Sequence, residues 1–380
     1  MPVSETIRVN PQILVWARES MGYSMNDVAG KLKKDVSRLE QLEKGKALPS
    51  LKELEDLALK IYKRPLALFF LDHPPTENEL TKDFRTLPES YLKKLSPEMR
   101  LAVRKGRYMQ DVLKEVFDHV NPSEKIITKT LSLDRKTSVI EQAAQLRAFI
   151  GISYEDQFQW KNDYTALNSW KEAIEEKGIF IFQFSLELNK ARGFSLFDEQ
   201  FPVIFLNSKD NPKARCFTLL HELSHLLLHS GSIYTGKKIA GDDRQTEKFC
   251  DKMAAEVLVP EKLIKLETAP NGVREISSLS NKFMVNPEVI IRRLVDFKMV
   301  SPLLYRKYKE QQRERLSKQT NSKIVGGLSS EKKCLNEKGR RFVSIVLNEF
   351  DKGNIPLTTI SEYLGIKTHQ VAKLRSELLK

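Results

Sequence analysis

Two histidines and a glutamate stand near the middle of the chain at the spacing of a metal site. Residues 221–225 read HELSH, so His221 and His225 are four positions apart. On an α-helix such residues lie about 40° apart around the axis, so both imidazoles share one face. They could share a Zn²⁺ ion that lowers the pKa of a water molecule, and Glu222 could take the proton of that water. The pattern therefore predicts zinc-dependent hydrolysis of a peptide bond.

The leucines that flank this motif favour a buried metal site. The alternative is a pair of solvent-exposed histidines on a helix surface.

A catalytic zinc needs a third protein ligand and one open position. His229 is unsuitable, because Cα atoms eight residues apart on a straight helix lie about 12 Å apart and no glycine turns the chain there. A helix expected at 244–258 offers carboxylates instead, with Glu247 and Asp251 on one face. We predict Glu247 as the third ligand and Asp251 as the group that orients an imidazole through its free N–H. For Asp251 and Glu256, plain charge on the helix surface is the alternative.

The elements that must position these groups are a small sheet and the helices that follow it. The runs IFIFQF at 179–184 and PVIFL at 202–206 are rich in β-forming residues, and RGFSL lies between them. The motif itself falls in a helix expected at 215–229. Further helices are expected near 276–283 and 287–297.

The central part of the chain resembles the ImmA/IrrE family of metallopeptidases in two segments, RGFSLFDEQFPVIFLNSKDNPKARCFTLLHELSHLLLH and EKFCDKMAAEVLVP. The resemblance covers about residues 140–300. It implies a gluzincin-like fold, with zinc held by His221, His225 and Glu247 and with Glu222 as the catalytic base. It also implies limited cleavage of a partner protein, such as a transcriptional repressor, rather than general digestion.

The same resemblance suggests where a substrate would bind. In such peptidases an extended substrate pairs with an edge strand above the metal, and Gly193, Phe194 and Ser195 fall where that strand would lie. A sheet edge without substrate is the alternative. Tyr234, which follows Gly231, is a candidate oxyanion stabiliser, with a role as loop anchor as the alternative.

The first 70 residues predict short helices, with Asn10, Ser24 and Ser50 as their N-caps. The segments ILVWARESMGYSMNDVAGKL and LEQLEKGKALPSLKELEDLALKIYKRPLALFFLDHPP make this region similar to DNA-binding helix-turn-helix domains of the XRE type. The similarity covers about residues 7–72.

In a helix-turn-helix domain, the start of the second helix enters the major groove. Polar side chains there are predicted to touch base edges: Ser37, Arg38 and Gln41. Neighbouring lysines are predicted to contact phosphates: Lys33, Lys34 and Lys44. Asp35 and Glu40 would oppose a phosphate backbone, so a protein-docking module is the alternative.

The distribution of charge agrees with a polyanionic partner. The net charge of +13 includes +3 in residues 1–70, which have 12 basic and 9 acidic residues, and +9 in residues 301–380, which have 17 and 8. The part between carries only +1. The excess positive charge therefore lies at the two ends, where DNA could bind; simple solubility is the alternative.

Composition points away from a membrane protein and a secreted one. The longest apolar run, 65–71, is far shorter than the roughly 20 residues that cross a bilayer. The first ten residues have no apolar h-region, so we expect no secretory signal. The odd number of three widely spaced cysteines fits a reducing cytoplasm.

Together these observations predict a mostly helical α+β chain with five parts. These are an XRE-like helix-turn-helix bundle at 1–72, a helical connector at 73–140, a gluzincin-like metallopeptidase domain with a small sheet at 141–304, a charged linker at 305–334, and a small C-terminal helical domain, itself like a helix-turn-helix, at 335–380.

The function that we predict is a regulatory zinc metallo-endopeptidase with a DNA-binding module. Its expected partners are DNA, through residues 1–72, and a protein substrate such as a repressor or antitoxin-like regulator. The sequence leaves the oligomeric state open, with a homodimer as one candidate. One alternative is a transcriptional regulator whose peptidase-like domain serves as a sensor or docking platform without catalysis. Another is an enzyme whose N-terminal module binds protein only.

Overall fold

The structure is a computed structural model that describes residues 6–77, 92, 95–229, 232–234, 243–270, 272–318 and 328–379. The described residues up to Arg107 form one compact unit, and those from Tyr108 onward form a second. The boundary falls within helix α5 (Pro97–Val116). The predicted α+β class, mostly helical with a small sheet, is confirmed.

The first unit is a helical bundle. Its helices are α1 (Pro11–Ser20), α2 (Met25–Leu32), α3 (Val36–Glu43) and α4 (Leu51–Glu55), which continues as a π-helical turn over Asp56–Ile61 before a 3₁₀ turn at Leu66–Phe70. The side chains of Asn10, Ser24 and Ser50 accept hydrogen bonds from backbone N–H groups in the first turns of α1, α2 and α4. These contacts confirm the predicted N-caps, because a cap satisfies donors that have no partner within the helix.

Two ion pairs join helices of this bundle. Both carboxylate oxygens of the buried Glu43 accept hydrogen bonds from the Arg18 guanidinium, at 2.7 and 2.9 Å, which ties α1 to the end of α3. Arg38 of α3 pairs in the same way with Glu53 of α4, at 3.2 and 2.7 Å. Two-pronged pairs of this kind fix orientation as well as distance.

The second unit contains a four-stranded sheet in the order β1-β3-β2-β4. The strands are β1 (Phe180–Phe184), β2 (Gly193–Leu196), β3 (Val203–Asn207) and β4 (Ser232–Tyr234). β1 runs parallel to β3, with Phe180 opposite Val203. β2 runs antiparallel to β3 on one side and to β4 on the other, with Gly193 opposite both Leu206 and Tyr234.

Helices precede and follow this sheet along the chain. Those before it are α6 (Ile127–Thr130), α7 (Val139–Ile150), α8 (Tyr154–Gln159) and α9 (Asp163–Glu176). Those after β3 are α10 (Pro212–Leu227), α11 (Asp243–Leu258), α12 (Glu261–Ile264), α13 (Val273–Lys282), α14 (Pro287–Asp296) and α15 (Pro302–Lys318). None of the described helices is both long and apolar enough to cross a membrane.

Helix α10 is the centre of the second unit. It packs on β2 and β3 and against α9 and α11, and every residue from Thr218 to Leu227 is buried. Trp170 of α9, Met253 of α11 and Ile290 of α14 are fully buried in the same core. A helix covered on all sides holds its polar side chains in a fixed and largely water-free setting.

The C-terminal helices belong to the same compact unit as the sheet. They are α16 (Ser330–Lys338), α17 (Arg340–Asp351), α18 (Leu357–Leu364) and α19 (Val371–Leu378), with a 3₁₀ turn at Thr368–Gln370. The ring of Phe342 meets that of Phe182 in β1 edge-on, at 5.5 Å, and Gln183 donates a hydrogen bond to Asn336 O at 2.5 Å. Residues 319–327 of the expected linker lie outside the described residues. The five domain boundaries therefore stay a prediction.

Candidate metal centre

Helix α10 places the two histidines of HELSH on one face. Asn211 caps the helix by accepting a hydrogen bond from Ala214 N at 2.8 Å, and Pro212 occupies its first turn. Both imidazoles are fully buried, and their Nε2 atoms lie 3.2 Å apart. Because the two residues are one helical turn apart, this convergence needs only the regular geometry of the helix.

Helix α11 brings a carboxylate to the same point. Glu247 Oε2 lies 3.3 Å from His221 Nε2, and Glu247 Oε1 lies 3.0 Å from His225 Nε2. Each of the three residues offers one ligand atom, and all three atoms lie within 4.8 Å of one another. The carboxylate expected from the second helix is therefore present beside the imidazoles.

These donors fit a zinc ion. Zinc binds nitrogen and oxygen at about 2.0–2.2 Å, so two donors at tetrahedral angles lie roughly 3.3 Å apart. The two Nε2 atoms are 3.2 Å apart, and each lies 3.0 to 3.3 Å from one of the two oxygens of Glu247. Two imidazoles and one carboxylate also form a donor set typical of catalytic zinc sites, which keep a fourth position open.

The charges around His221 favour a cation at this point. Burial lowers the pKa of His221, but the carboxylates of Asp251 and Glu247 raise it more strongly, to about 10. Burial raises the pKa of the Glu247 carboxyl, but its hydrogen bonds with the two histidines lower this pKa by a larger amount. The net pKa therefore lies far below the usual range for glutamate, and the carboxyl stays ionised. Two carboxylates thus face the imidazoles, and a proton or a metal ion balances their charge.

Asp251 contacts the first imidazole. Its Oδ1 lies 3.0 Å from His221 Nδ1, one turn of α11 beyond Glu247. Nε2 of the same ring faces Glu247. Such a carboxylate fixes the tautomer of a histidine and increases the basicity of its other nitrogen.

Glu222 is held by two strands of the sheet. Its Oε2 accepts a hydrogen bond from Ser195 Oγ of β2 at 2.7 Å and another from Ser232 Oγ of β4. All three side chains are fully buried. Among the described residues, Glu222 Oε1 has no hydrogen-bond partner. The carboxylate therefore has one anchored oxygen and one that can take up a proton.

The expectation that Gly193, Phe194 and Ser195 form a free edge of the sheet is wrong. These residues belong to β2, which lies between β3 and β4. The short strand β4 takes the edge position; its three residues carry too little pattern to be recognised in the sequence.

The three residues of β2 contact the site and its surroundings instead. Ser195 holds Glu222, and Phe194 stacks on Phe205 of β3 with ring centroids 4.5 Å apart. Gly193 lies so close to α10 that an added Cβ would be 2.5 Å from Thr218 Cγ2. Only glycine permits this approach of strand to helix.

Sequence reasoning missed Ser232. A serine ten positions after Glu222 carries no recognisable motif, and only the pairing of β4 with β2 brings it to the carboxylate. The backbone of Tyr234 lies in β4, but its side chain lies outside the described part of the structure. Its role as an oxyanion stabiliser stays a prediction.

Two other candidates do not join the cluster of ligand atoms. Glu256 is buried in an ion pair with Arg293 and accepts a hydrogen bond from Glu261 N at 2.9 Å. It is therefore not a surface charge, as the sequence had left open, but part of the packing between α11 and α14. His229 follows the end of α10, and its ring stacks on that of Phe197 with centroids 5.3 Å apart. Its position eight residues after His221 had already made it unsuitable as a ligand.

The predicted DNA-contacting residues lie at the turn between α2 and α3 and along α3. Those with exposed side chains are Lys33, Lys34, Ser37, Gln41 and Lys44. Lys44 pairs with Glu40 at 3.0 Å. Arg38 is the exception, because its guanidinium also donates to Leu48 O at 3.0 Å and pairs with Glu53. It therefore stabilises the packing of α3 on α4.

Comparison with known families agrees with both parts of this architecture. Residues 174–295 match the IrrE N-terminal-like domain of peptidase family M78, and residues 14–61 match a helix-turn-helix family. The chain is a fusion of an XRE-type helix-turn-helix domain and an ImmA/IrrE-like peptidase domain. No curated protein matches it significantly. The two domains support a DNA-binding regulator that contains a peptidase-like domain.

Proposed function

We propose that this chain is a regulatory zinc metallo-endopeptidase that makes a limited cut in a partner protein. The observation that carries the proposal is the convergence of His221, His225 and Glu247 beside the buried carboxylate of Glu222. A buried acid with one anchored oxygen, next to three donors at the spacing of a zinc site, is suited to hydrolysis.

Each side chain has a part in the proposed mechanism. His221, His225 and Glu247 would hold the ion, and Asp251 would keep the His221 ring in place. When bound, zinc would polarise the scissile carbonyl and lower the pKa of the attacking water towards neutrality. Glu222 would take the proton of that water on Oε1 and pass it to the departing amine nitrogen.

Ser195 and Ser232 would keep Glu222 in position for this transfer. Because both hydroxyls bind Oε2, the other oxygen is the one left to exchange a proton. The hydrogen bonds also restrict rotation of the carboxylate, which increases the fraction of time it spends in a reactive orientation.

The substrate would lie along β4. Within the described part of the chain, β2 occupies one edge of β4 and no strand pairs with the other. An extended peptide could add to that outer edge and place its scissile bond near the metal centre. Tyr234 is our candidate for stabilising the oxyanion formed there.

Exchange of Glu222 for glutamine tests the peptidase. The zinc-loaded full chain and its Glu222→Gln variant are incubated with a cell lysate, and new protein N-termini are identified by mass spectrometry. We expect few, specific new termini with the wild type and none with Glu222→Gln, although both bind one zinc ion per chain. The matched control is Glu310→Gln, which changes an exposed carboxylate on α15 and should cut like the wild type.

Two outcomes would contradict this proposal. New termini that persist with Glu222→Gln would remove Glu222 from catalysis. Zinc binding without any cut by the wild type would favour the alternative, a transcriptional regulator whose peptidase-like domain is a sensor or docking platform.

We further propose that the helix-turn-helix domain brings the peptidase to DNA, where a repressor or antitoxin-like regulator is bound. The match of residues 14–61 to a helix-turn-helix family supports this idea. We also propose that the chain acts in a reducing cytoplasm, which suits three cysteines that are all free and buried. A homodimer is the assembly that we propose for it.

DNA binding can be measured on a labelled library of random duplexes. We expect Lys33→Gln with Lys34→Gln to weaken binding and to reduce the slope of log affinity against log salt by about 2, since each lysine that contacts a phosphate contributes about 1. The control is Lys52→Gln with Lys60→Gln, two exposed lysines of the same unit. An equal loss in both double variants would refute contact through the turn between α2 and α3.

A further inference from the structure

A cleft of about 500 Å³ opens beside the metal centre, between α10, α11, α14 and α15. Two of its lining residues lie close to the centre. Asp251 contacts His221, and Thr218 packs against Gly193 next to Glu222. A molecule in this cleft would therefore contact side chains that adjoin His221 and Gly193. The volume falls within the range of roughly 300–1,000 Å³ that is common for binding clefts.

The walls of the cleft carry more positive than negative charge. Six of the lining residues are lysines or arginines and three are acids. Two of the cations, Arg192 and Arg293, are neutralised by Asp210 and Glu256 outside the lining. The surplus positive charge therefore depends on the remaining cations.

Lys248 and Lys252 of α11 are the cations best placed to receive an anion. Both are exposed, and neither forms an ion pair with another described residue. They lie on either side of Asp251 in the sequence of α11 and line the same cleft as that carboxylate. Across the cleft, Arg292 and Lys309 share a single carboxylate, that of Glu288. With Asp296 also in this wall, its charges balance, so the surplus positive charge of the cleft comes from the two lysines of α11.

The spacing of the two lysines suits an extended acidic peptide. Residues four apart on a helix have Cβ atoms about 6 Å apart, and side chains on one face of an extended peptide recur about every 7 Å. Two carboxylates in the pattern acid-x-acid could therefore meet Lys248 and Lys252 together. Between the charged walls lie apolar groups, including Phe217 and Val289, that could contact an intervening side chain.

We propose that this cleft binds an acidic segment of the protein substrate and so selects where the chain is cut. The inference rests on the proposed function, since it assigns a specificity site to the same peptidase. A peptide is favoured over nucleic acid because the cleft also presents the carboxylates of Asp251 and Asp296. These would repel closely spaced phosphates, whereas a peptide can avoid them with a neutral residue.

Binding is measured apart from cleavage on the zinc-loaded full chain carrying Glu222→Gln. The probes are two fluorescein-labelled decapeptides, one with Glu and one with Gln at alternate positions and otherwise identical. We expect the Glu peptide to bind about tenfold more tightly at low salt, through two partly exposed ion pairs. Lys248→Gln with Lys252→Gln should abolish this preference.

The matched control removes two exposed lysines elsewhere in the same unit, by Lys332→Gln with Lys367→Gln. It should keep the tenfold preference. All four lysines are exposed, so the melting temperatures of both double variants should equal that of the parent. Equal affinity for the two peptides, or an equal loss in both double variants, would overturn the proposal. Single-stranded DNA that binds as tightly as the Glu peptide, with the same dependence on Lys248 and Lys252, would overturn it too.

The two proposals can fail separately. A chain that shows the charge preference but makes no cut would overturn the peptidase and leave the acidic-segment site. A chain that cuts proteins at sites without nearby acidic residues, and with equal efficiency after the change at Lys248 and Lys252, would overturn the acidic-segment site alone.

Discussion

The contact between Gly193 and helix α10 offers a quantitative test of how the sheet supports the site. In Gly193→Ala the new Cβ would lie 2.5 Å from Thr218 Cγ2 and 3.0 Å from the backbone oxygen of Phe205. It would also lie 3.6 Å from Glu222 Cγ, which is ordinary contact. Thr218 can yield by a small shift of its side chain, but the Phe205 carbonyl belongs to the paired strands β2 and β3. The substitution therefore has to shift β2 away from β3 as well as from α10.

The expected cost follows from these distances. Overpacking of a dense core usually costs 1–3 kcal/mol, and a clash with backbone on one side places this substitution at about 3 kcal/mol. Separation of β2 from α10 would also lengthen the 2.7 Å hydrogen bond from Ser195 to Glu222. We therefore expect lower stability and lower peptidase activity together.

A second substitution identifies the cause. Thr218→Ser removes the Cγ2 atom and alone should cost about 1 kcal/mol, the value of one buried methyl group. In the double variant the closest clash is gone, so it should be less destabilised than the sum of the singles by about 1–2 kcal/mol. Urea unfolding, followed by the fluorescence of the tryptophans, gives the free energy of each variant.

The same change at Gly30 is the control. Gly30 lies inside α2, and an added Cβ there would meet no atom within 4 Å. Gly30→Ala should therefore stabilise the first unit by about 0.5–1 kcal/mol, because alanine favours the helix. If Gly193→Ala is also neutral or stabilising, or if its effect and that of Thr218→Ser simply add, the close approach of β2 to α10 is refuted.

Two further expectations concern the metal centre and pH. Zinc affinity is measured by competition with a chromophoric chelator. Asp251→Asn should reduce the affinity by roughly 10–100-fold, and Glu247→Gln should reduce it by more. Equal affinity of Glu247→Gln and the wild type would exclude Glu247 as a ligand. Burial raises the pKa of Glu175 from 4.5 to about 7, against the opposing effect of Lys171. Between pH 4.5 and 7, Glu175 is protonated in the folded chain but ionised in the unfolded chain. The contribution of Glu175 to the free energy of unfolding is therefore complete below pH 4.5 and is lost as the pH rises through 7. The free energy of unfolding falls by at most about 3 kcal/mol over this range. Glu175→Gln should abolish the fall, as urea unfolding curves at about pH 5 and about pH 8 would show. If those curves shift equally in the variant and the wild type, Glu175 is not the cause of the pH dependence.

Much of the candidate site follows from local sequence. The spacing of His221 and His225 determines that their rings share a face, because the period of an α-helix is independent of its surroundings. In the first unit, Asn10, Ser24 and Ser50 start helices through hydrogen bonds to residues two or three positions away. Such contacts are local, so the sequence alone reveals them.

Sequence narrowed the choice of carboxylate but could not decide it. Glu247, Asp251 and Glu256 all lie on α11, and its helical period places only the first two on one face. The way α11 crosses α10 decides that Glu247 reaches both Nε2 atoms while Asp251 reaches Nδ1. That crossing depends on side chains from the whole core, which no short window of sequence contains.

The sheet depended most on tertiary structure. Whether β2 is an edge or an inner strand depends on β4, three residues that are distant in sequence and have no pattern of their own. This pairing also brings Ser232 to Glu222. The sequence therefore determined the helix, the motif and the chemistry that they can perform. Only long-range packing decided which carboxylate lies beside the two imidazoles and which hydroxyls contact Glu222, because strand order and helix crossing are properties of the whole fold.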